Sequence, residues 1–219
     1  QGVALAGQRL GVSTTIVMPV TTPAIKVETV RRLGGRAVLQ GDSYDEAFDY
    51  ATRLAREKGL TFIHPFDDPD VIAGQGTVGM EVLRQHADPI HAVFVPVGGG
   101  GLIAGVAAYI KDIRPEIKVI GVEPEDAPTM ERALAAGRRI TLPRVGLFAD
   151  GVAVRQIGEE PFRIARKTVD EMILVSTDEI CAAIKDVFDD TRSVAEPAGA
   201  LAIAGIKKYV AREGTTDHT

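Results

Sequence analysis

The stretch Ala92-Val-Phe-Val-Pro-Val-Gly-Gly-Gly-Gly-Leu-Ile-Ala-Gly-Val-Ala-Ala-Tyr-Ile110 decides how this chain is read. Its first six residues form an apolar run of the kind that fills a strand buried on both faces. From Leu102 onward, small and aliphatic residues recur at helical spacing. Four consecutive glycines, Gly98, Gly99, Gly100 and Gly101, stand between the two patterns. Glycine lets the main chain approach another body with no β-carbon in the way. The first N–H groups of the following helix have no intrahelical acceptor and lie at the positive end of its dipole. Strand, bare loop and helix start together make a cradle for an anion, and a phosphate fits it.

Strand and helix patterns alternate on both sides of this loop. Thr15–Met18 is a β-branched run ended by Pro19. Residues 24–33 read as a helix, with Thr22 as N-cap, Pro23 in the first turn and Gly34-Gly35 closing it. Arg36–Leu39 is a short strand. Ser43 caps a helix over Tyr44–Lys58, with Glu46 in capping-box spacing and Gly59 at the stop. Residues 61–63 supply a third strand, giving a βαβαβ layout that favours a parallel sheet. His64 to Asp70 is a turn-rich link, and a hinge is expected near 64–76. Beyond it, residues 79–85, 102–113, 127–136, 159–169, 177–190 and 198–212 read as helices, and 92–97, 118–122 and 172–175 as strands. Residues 137–158 carry little regular pattern. The fold class is α/β in two open parallel-sheet lobes, residues 1–70 and 71–219, with ligands expected at the carboxyl ends of the strands.

Composition narrows the partners. The 219 residues are 45% apolar with a net charge of −5, which argues against nucleic acid or an anionic membrane surface as partner. No apolar run approaches the roughly 20 residues of a membrane span. The single Cys181 rules out an internal disulfide framework and fits a reducing, cytoplasmic setting. It falls in the apolar pattern of Ile180, Ala183, Ile184 and Val187, which predicts a packed thiol. His64, His86, His91 and His218 show no metal-ligand spacing, and Asp67, Asp68 and Asp70 read as a solvated loop cluster, so no metal is expected. The chain starts at Gln1 inside a helical pattern, which reads as a fragment incomplete at both ends.

Two owners of the phosphate compete. Gly99-x-Gly101-x-x-Ala104 satisfies a relaxed dinucleotide fingerprint, and Glu123 ends the next strand about 20 residues later, where an acid would hold a ribose. Against this, dinucleotide loops space their glycines, whereas here four run together, and Glu123 opens an acidic turn. The alternative is pyridoxal 5′-phosphate. The segment Val95-Pro-Val-Gly-Gly-Gly-Gly-Leu102 resembles the phosphate loop of fold-type II pyridoxal-phosphate enzymes, the tryptophan synthase β-like group. Gln1-Gly2, Ile16-Val-Met-Pro19, Val71-Ile-Ala-Gly-Gln-Gly-Thr77, Leu142-Pro-Arg-Val-Gly-Leu-Phe-Ala-Asp-Gly-Val-Ala-Val154 and Ala195-Glu-Pro-Ala-Gly-Ala200 resemble, in order, blocks of the threonine ammonia-lyases, especially the biosynthetic kind.

The resemblance implies a lyase that deaminates threonine, and serine more weakly, to a 2-oxo acid and ammonia in isoleucine (branched-chain amino acid) biosynthesis. It implies a homo-oligomer, a dimer or tetramer. Gly98–Gly101 and the Leu102 N–H would bind the cofactor phosphate. Glu196 and Gly151 are candidate pocket residues. For Glu196 a plain helix-start acid is the competing reading, and for Asp150-Gly151 a turn. Gly74-Gln-Gly-Thr77 reads as a helix N-terminus beside the pocket, or as a hinge or cap. Phe66 reads as a core aromatic or as a neighbour of the pocket. In the similar serine racemases a divalent cation lies near the Glu123 position, but here Pro128 and Thr129 stand where a further carboxylate would be needed. The family's Schiff-base lysine matches none of Lys26, Lys58, Lys111, Lys118, Lys167, Lys185, Lys207 or Lys208 and is expected upstream of Gln1, so no catalytic residue is expected in this chain and the isolated chain should be inactive. Serine racemase or serine dehydratase, a non-catalytic phosphate-binding module and a Rossmann NAD-binding protein are the rival readings.

Overall fold

Two units, Gln1–Ile63 and His64–Thr219, make up the chain, and the computed structural model describes residues 1–214 of it. In the first unit α1 (Gly2–Leu10), β1 (Thr15–Met18), α2 (Ala24–Arg32), β2 (Arg36–Leu39) and α3 (Tyr44–Lys58) follow one another. β1 and β2 pair in parallel, with Ile16 opposite Ala37 and Val17 opposite Val38. Three local expectations are corrected. Residues 61–63 join no ladder; Phe62 instead packs edge-on against Phe48 of α3, ring centroids 5.5 Å apart. The N-cap position of α2 is Pro23 rather than Thr22, since the Pro23 carbonyl accepts the first helical bonds, from the Lys26 (2.9 Å) and Val27 (3.4 Å) N–H groups, and no side chain caps the helix. The Ser43 box is half formed: its hydroxyl accepts the Glu46 N–H, but Glu46 Oε2 accepts from Asp42, 2.6 Å away, one residue before the cap.

The second unit opens with α4 (Pro69–Gln85) and continues through β3 (Ala92–Pro96), α5 (Gly101–Ile113), β4 (Lys118–Pro124), α6 (Thr129–Ala136) and a single 3₁₀ turn at Asp150–Val152. It closes with α7 (Glu159–Thr168), β5 (Glu171–Val175), α8 (Thr177–Thr191) and α9 (Pro197–Glu213). The strands run parallel in the order β3-β4-β5, with Val95 opposite Gly121 and Val122 opposite Ile173. Alternation divides their side chains between two cores. Val93, Val95 and Val119 join Ile103, Val106 and Ile110 of α5, Met130 of α6 and Phe162 of α7. Phe94, Ile120, Val122 and Ile173 join Ile180 of α8 and Leu201 and Ala204 of α9. Parallel strands covered on both faces read as unbroken apolar runs, as residues 92–97 do. Ile103, Ile110, Ile120 and Val122 are wholly excluded from water, each contributing about 1.5–3 kcal/mol of transfer free energy.

Residues 69–76, read above as the end of the link and the expected hinge region, are helix. Asp68 caps α4 through its Oδ1, which accepts the Asp70 N–H at 2.8 Å and the Val71 N–H at 3.3 Å, and Pro69 occupies the first turn. Gly74-Gln-Gly-Thr77 therefore lies inside a helix and is not its N-terminus. Gly76 within it is explained by a close helix crossing, whereas Gly74 faces open space. A β-carbon on Gly76 would stand 3.2 Å from the Gly105 carbonyl oxygen, and one on Gly105 would collide with the Ile72 carbonyl and lie 2.6 Å from the Gly76 nitrogen. Cys181 is also corrected. It is exposed, because Ile180 and Ala183 take the buried side of α8 and a residue one step from Ile180 points elsewhere.

The irregular residues 137–158 are held by specific bonds. Leu142 N–H donates to the Arg155 carbonyl (2.8 Å), Arg155 Nε returns a bond to the Leu142 carbonyl (2.9 Å), and Gly146 N–H donates to the Asp126 carbonyl (3.0 Å). The helix crossing gives a paired test. Gly105→Ala should lower stability by about 2–3 kcal/mol through overpacking against backbone. Gly74→Ala, whose β-carbon meets nothing within 4 Å, should raise it by roughly 0.5–1 kcal/mol. Urea midpoints that move the same way for both variants would contradict this account of α4 and α5.

Candidate functional site

The glycine loop runs from the end of β3 into α5 and is enclosed on its underside. A β-carbon on Gly98 would lie 2.9 Å from Val152 Cα; one on Gly99 would run into the Phe66 ring; one on Gly101 would lie 2.9 Å from Phe66 Cα. Gly100 has φ 92°, a left-handed conformation, and a β-carbon there would stand 2.8 Å from both Met130 Cε and Pro161 Cβ. Every one of the four positions excludes a side chain. The carbonyls are engaged: Gly99 accepts the Gly158 N–H (3.1 Å) and Gly100 accepts the Ala104 N–H (3.0 Å) as the first bond of α5. Among the described residues, the N–H groups of Gly98 to Leu102 form no backbone hydrogen bond, as the geometry of a helix start requires for its first turn.

Gly151 and Glu196 come together beside this loop. Gly151 begins the 3₁₀ turn with Asp150, and its neighbour Val152 is the residue against Gly98. A β-carbon on Gly151 would lie 2.9 Å from Ala198 Cβ and 3.7 Å from Glu196 Oε1. Glu196 is the N-cap residue of α9, with Pro197 in its first turn. Loop, turn and helix start thus share one edge of the sheet, at the carboxyl end of β3.

Residues 64–68 form a clasp that the sequence did not signal as a unit. His64 Nδ1 accepts the Phe66 N–H (3.2 Å) and the Asp67 N–H (2.8 Å), which fixes the ring as neutral with its proton on Nε2. Burial lowers the His64 pKa, against the pull of Asp67 and Asp68. Phe66 lies under Gly99 and Gly101. Asp67 accepts the Glu159 and Glu160 N–H groups, both at 2.9 Å, and so caps α7 from a distance of more than ninety residues in sequence. Asp67 and Asp68 are therefore helix caps rather than a solvated cluster.

Glu123 is wholly buried. Its Oε1 accepts the Met130 N–H at 2.7 Å and its Oε2 the Glu131 N–H at 2.9 Å, so it caps α6 and is not presented to a ribose. Both oxygens face N–H donors, the wrong partners for a cation, and the described residues contain no group of three potential metal ligands. His91 Nε2 lies 3.0 Å from Tyr209 Oη, and His86 sits at the end of α4; His218 lies outside the described residues. Lys111 is engaged with Asp170, Lys118 with Tyr209, Lys185 with Asp189, Lys207 with Asp186, and Lys208 with Glu179 and the Leu174 carbonyl. None of these contacts is with the glycine loop.

Residues 1–218 match the family model described as pyridoxal-phosphate dependent enzyme. The chain belongs to the pyridoxal-phosphate dependent enzyme family. It is 59% identical to the L-threonine dehydratase biosynthetic IlvA of Burkholderia multivorans over 222 residues, covering all of this chain and 44% of that protein. It is also 59% identical to the chloroplastic biosynthetic threonine dehydratase of Arabidopsis thaliana, covering 99% of this chain and 37% of that one. The processed form of threonine deaminase isoform 2 from Solanum lycopersicum superposes on all of this chain and 60% of its own, with a TM-score of 0.94 at 53% identity. The chain spans less than half the length of these two curated relatives. Its fold is that of the fold-type II enzymes, as the glycine loop and the parallel sheets indicated.

The residues present fit the family's cofactor at its phosphate. Members of this family bind a phosphate monoester, and the loop offers a row of N–H donors at a helix N-terminus, with the Gly99 and Gly100 carbonyls already engaged by Gly158 and Ala104. The buried carboxylate beside it has a measurable signature. Burial pushes Glu123 up from 4.5 to about 8, against the N–H bonds from Glu131 and Met130. The folded protein then binds this proton more tightly than the unfolded chain, so the group's contribution to stability is fully present below pH 4.5, falls as pH rises toward about 8, and is level above that. Glu123→Gln has no proton to lose. Its melting temperature should decline less steeply than that of the unaltered protein between about pH 5 and about pH 8; parallel declines would refute the assignment.

Proposed function

We propose that the whole protein deaminates L-threonine to 2-oxobutanoate and ammonia, using pyridoxal 5′-phosphate held by the glycine loop. The observation that carries this reading is the row of N–H groups from Gly98 to Leu102, without backbone acceptors in a loop that leaves no room for side chains at its four glycines, in a chain so similar along its whole length to threonine dehydratases. Gly98, Gly99, Gly100, Gly101 and Leu102 bind the phosphate. Gly151 keeps the neighbouring turn thin enough for ligand and backbone to approach, and Glu196 lines the same edge. When bound, the cofactor supplies an electron sink for bond breaking at the amino acid's α-carbon. The chain's own part is to grip and orient: Phe66, Met130, Pro161 and Val152 lie so close to the loop that no β-carbon fits there, and this packing supports the donors. Serine is the second substrate, the step belongs to isoleucine biosynthesis, and the protein works as a homo-oligomer in the cytoplasm. No helix among the described residues is long and apolar enough to cross a membrane.

None of the eight lysines occupies the family's Schiff-base motif, so the chain of 219 residues supplies the phosphate grip without the group that holds the aldehyde. The whole protein should release 2-oxo acid from threonine only when pyridoxal phosphate is supplied, whereas the 219-residue chain should release none. Strict dependence on a nicotinamide cofactor, with no response to pyridoxal phosphate, would overturn the reading. In the whole protein Gly99→Ala should weaken cofactor retention by about tenfold or more, since its β-carbon drives the loop off Phe66; retention measured by the visible absorbance that survives gel filtration decides it.

A further inference from the structure

We propose that Glu123 is a positioning residue for the phosphate cradle, holding the glycine loop in register through the start of α6. The proposal rests on the reading that this loop binds the cofactor phosphate. α6 begins at Thr129 behind Pro128, which offers no side-chain cap. Its second and third N–H groups, those of Met130 and Glu131, go instead to the two oxygens of Glu123 on β4. A serine or aspartate at position 128 would close the helix more cheaply than a carboxylate withdrawn entirely from water. A cap sent from the sheet does something a local cap cannot: it fixes where the helix begins relative to β4, and hence relative to β3 and the loop that follows it.

The residues on either side of those N–H groups show what is being fixed. Met130 is wholly buried, and its Cε, together with Pro161 Cβ, bounds Gly100. Thr129, also buried, donates its hydroxyl to the Val154 carbonyl at 2.7 Å, anchoring the segment whose Val152 bounds Gly98. One carboxylate thus sets the position of two walls of the cradle. If the start of α6 moved, the Val152 wall of Gly98 and the Met130 wall of Gly100 would move with it, leaving only Pro161 in place against Gly100.

Cofactor affinity measured on the apo form of the whole protein, with and without the phosphate, separates positioning from plain stabilisation. Pyridoxal 5′-phosphate and pyridoxal are titrated in parallel well below the melting temperature. The unaltered protein should prefer the phosphorylated form strongly; no preference would remove the phosphate-loop reading itself. In Glu123→Gln, whose amide nitrogen has no lone pair for the second N–H, pyridoxal phosphate should bind about tenfold more weakly while pyridoxal changes less than about twofold. Equal losses for both ligands, or no loss for either, would overturn the proposal. Should Glu123→Gln fail to fold, Thr129→Val decides. It keeps the shape, removes the bond to Val154, and should reduce the same preference by about threefold; an unchanged preference there would overturn the proposal as well.

Discussion

Backbone packed against side chains with no room for a β-carbon is the constraint on which the rest of this structure depends. At Gly98, Gly99, Gly100 and Gly101 the main chain meets Val152, Phe66, Met130 with Pro161, and Phe66 again. Each of these neighbours is delivered by a different element, and each element is fixed by its own bond. Asp67 holds the start of α7, and so Pro161; Glu123 holds the start of α6, and so Met130; the His64 imidazole folds the turn that carries Phe66. The close crossing of α4 and α5 at Gly76 and Gly105 then sets the helix that the loop opens. Polar groups that look scattered in sequence converge on the placement of one short stretch of backbone.

Much of the fold was legible because its signals are local. An unbroken apolar run marks β3, and the helices after it are read to within two residues of their observed ends, while α4 before it is read only from Gly79, ten residues after its start. The start of α4 is hidden although Asp68-Pro69 is a local cap and first-turn pair: three glycines follow in eleven residues, and two of them, Gly76 and Gly79, serve a helix crossing that no local pattern describes. Residues 61–63 have strand composition and no ladder, since a ladder needs a partner and composition does not supply one. Cys181 shared the composition of an apolar helix but not its buried face.

The candidate site divides along the same line. The cradle itself was readable, because four glycines between a strand and a helix have a local physical meaning. Its walls were not. Phe66 and Gly99, Asp67 and Glu159, and Thr129 and Val154 are joined across 25 to 92 residues, and nothing in one partner announces the other. Glu123 shows the cost of reading such a residue locally: an acid at a strand end before a helix suggests a ribose ligand, yet its oxygens are both occupied by the chain that follows it.

The glycines raise a final question of cause, since packing alone already forbids any other residue at the four positions. A loop that existed only to pack tightly would have no reason to leave a consecutive row of N–H groups without acceptors while its carbonyls find Gly158 and Ala104. Conversely, a loop that existed only to bind an anion could be open below, and would then have to be ordered by the ligand, at roughly 1–2 kcal/mol for each residue fixed and more for glycine. Enclosing the underside transfers that ordering cost from binding to folding. Tight packing below and free donors above are therefore not rival explanations of Gly98–Gly101: the first is the condition under which the second binds a phosphate well.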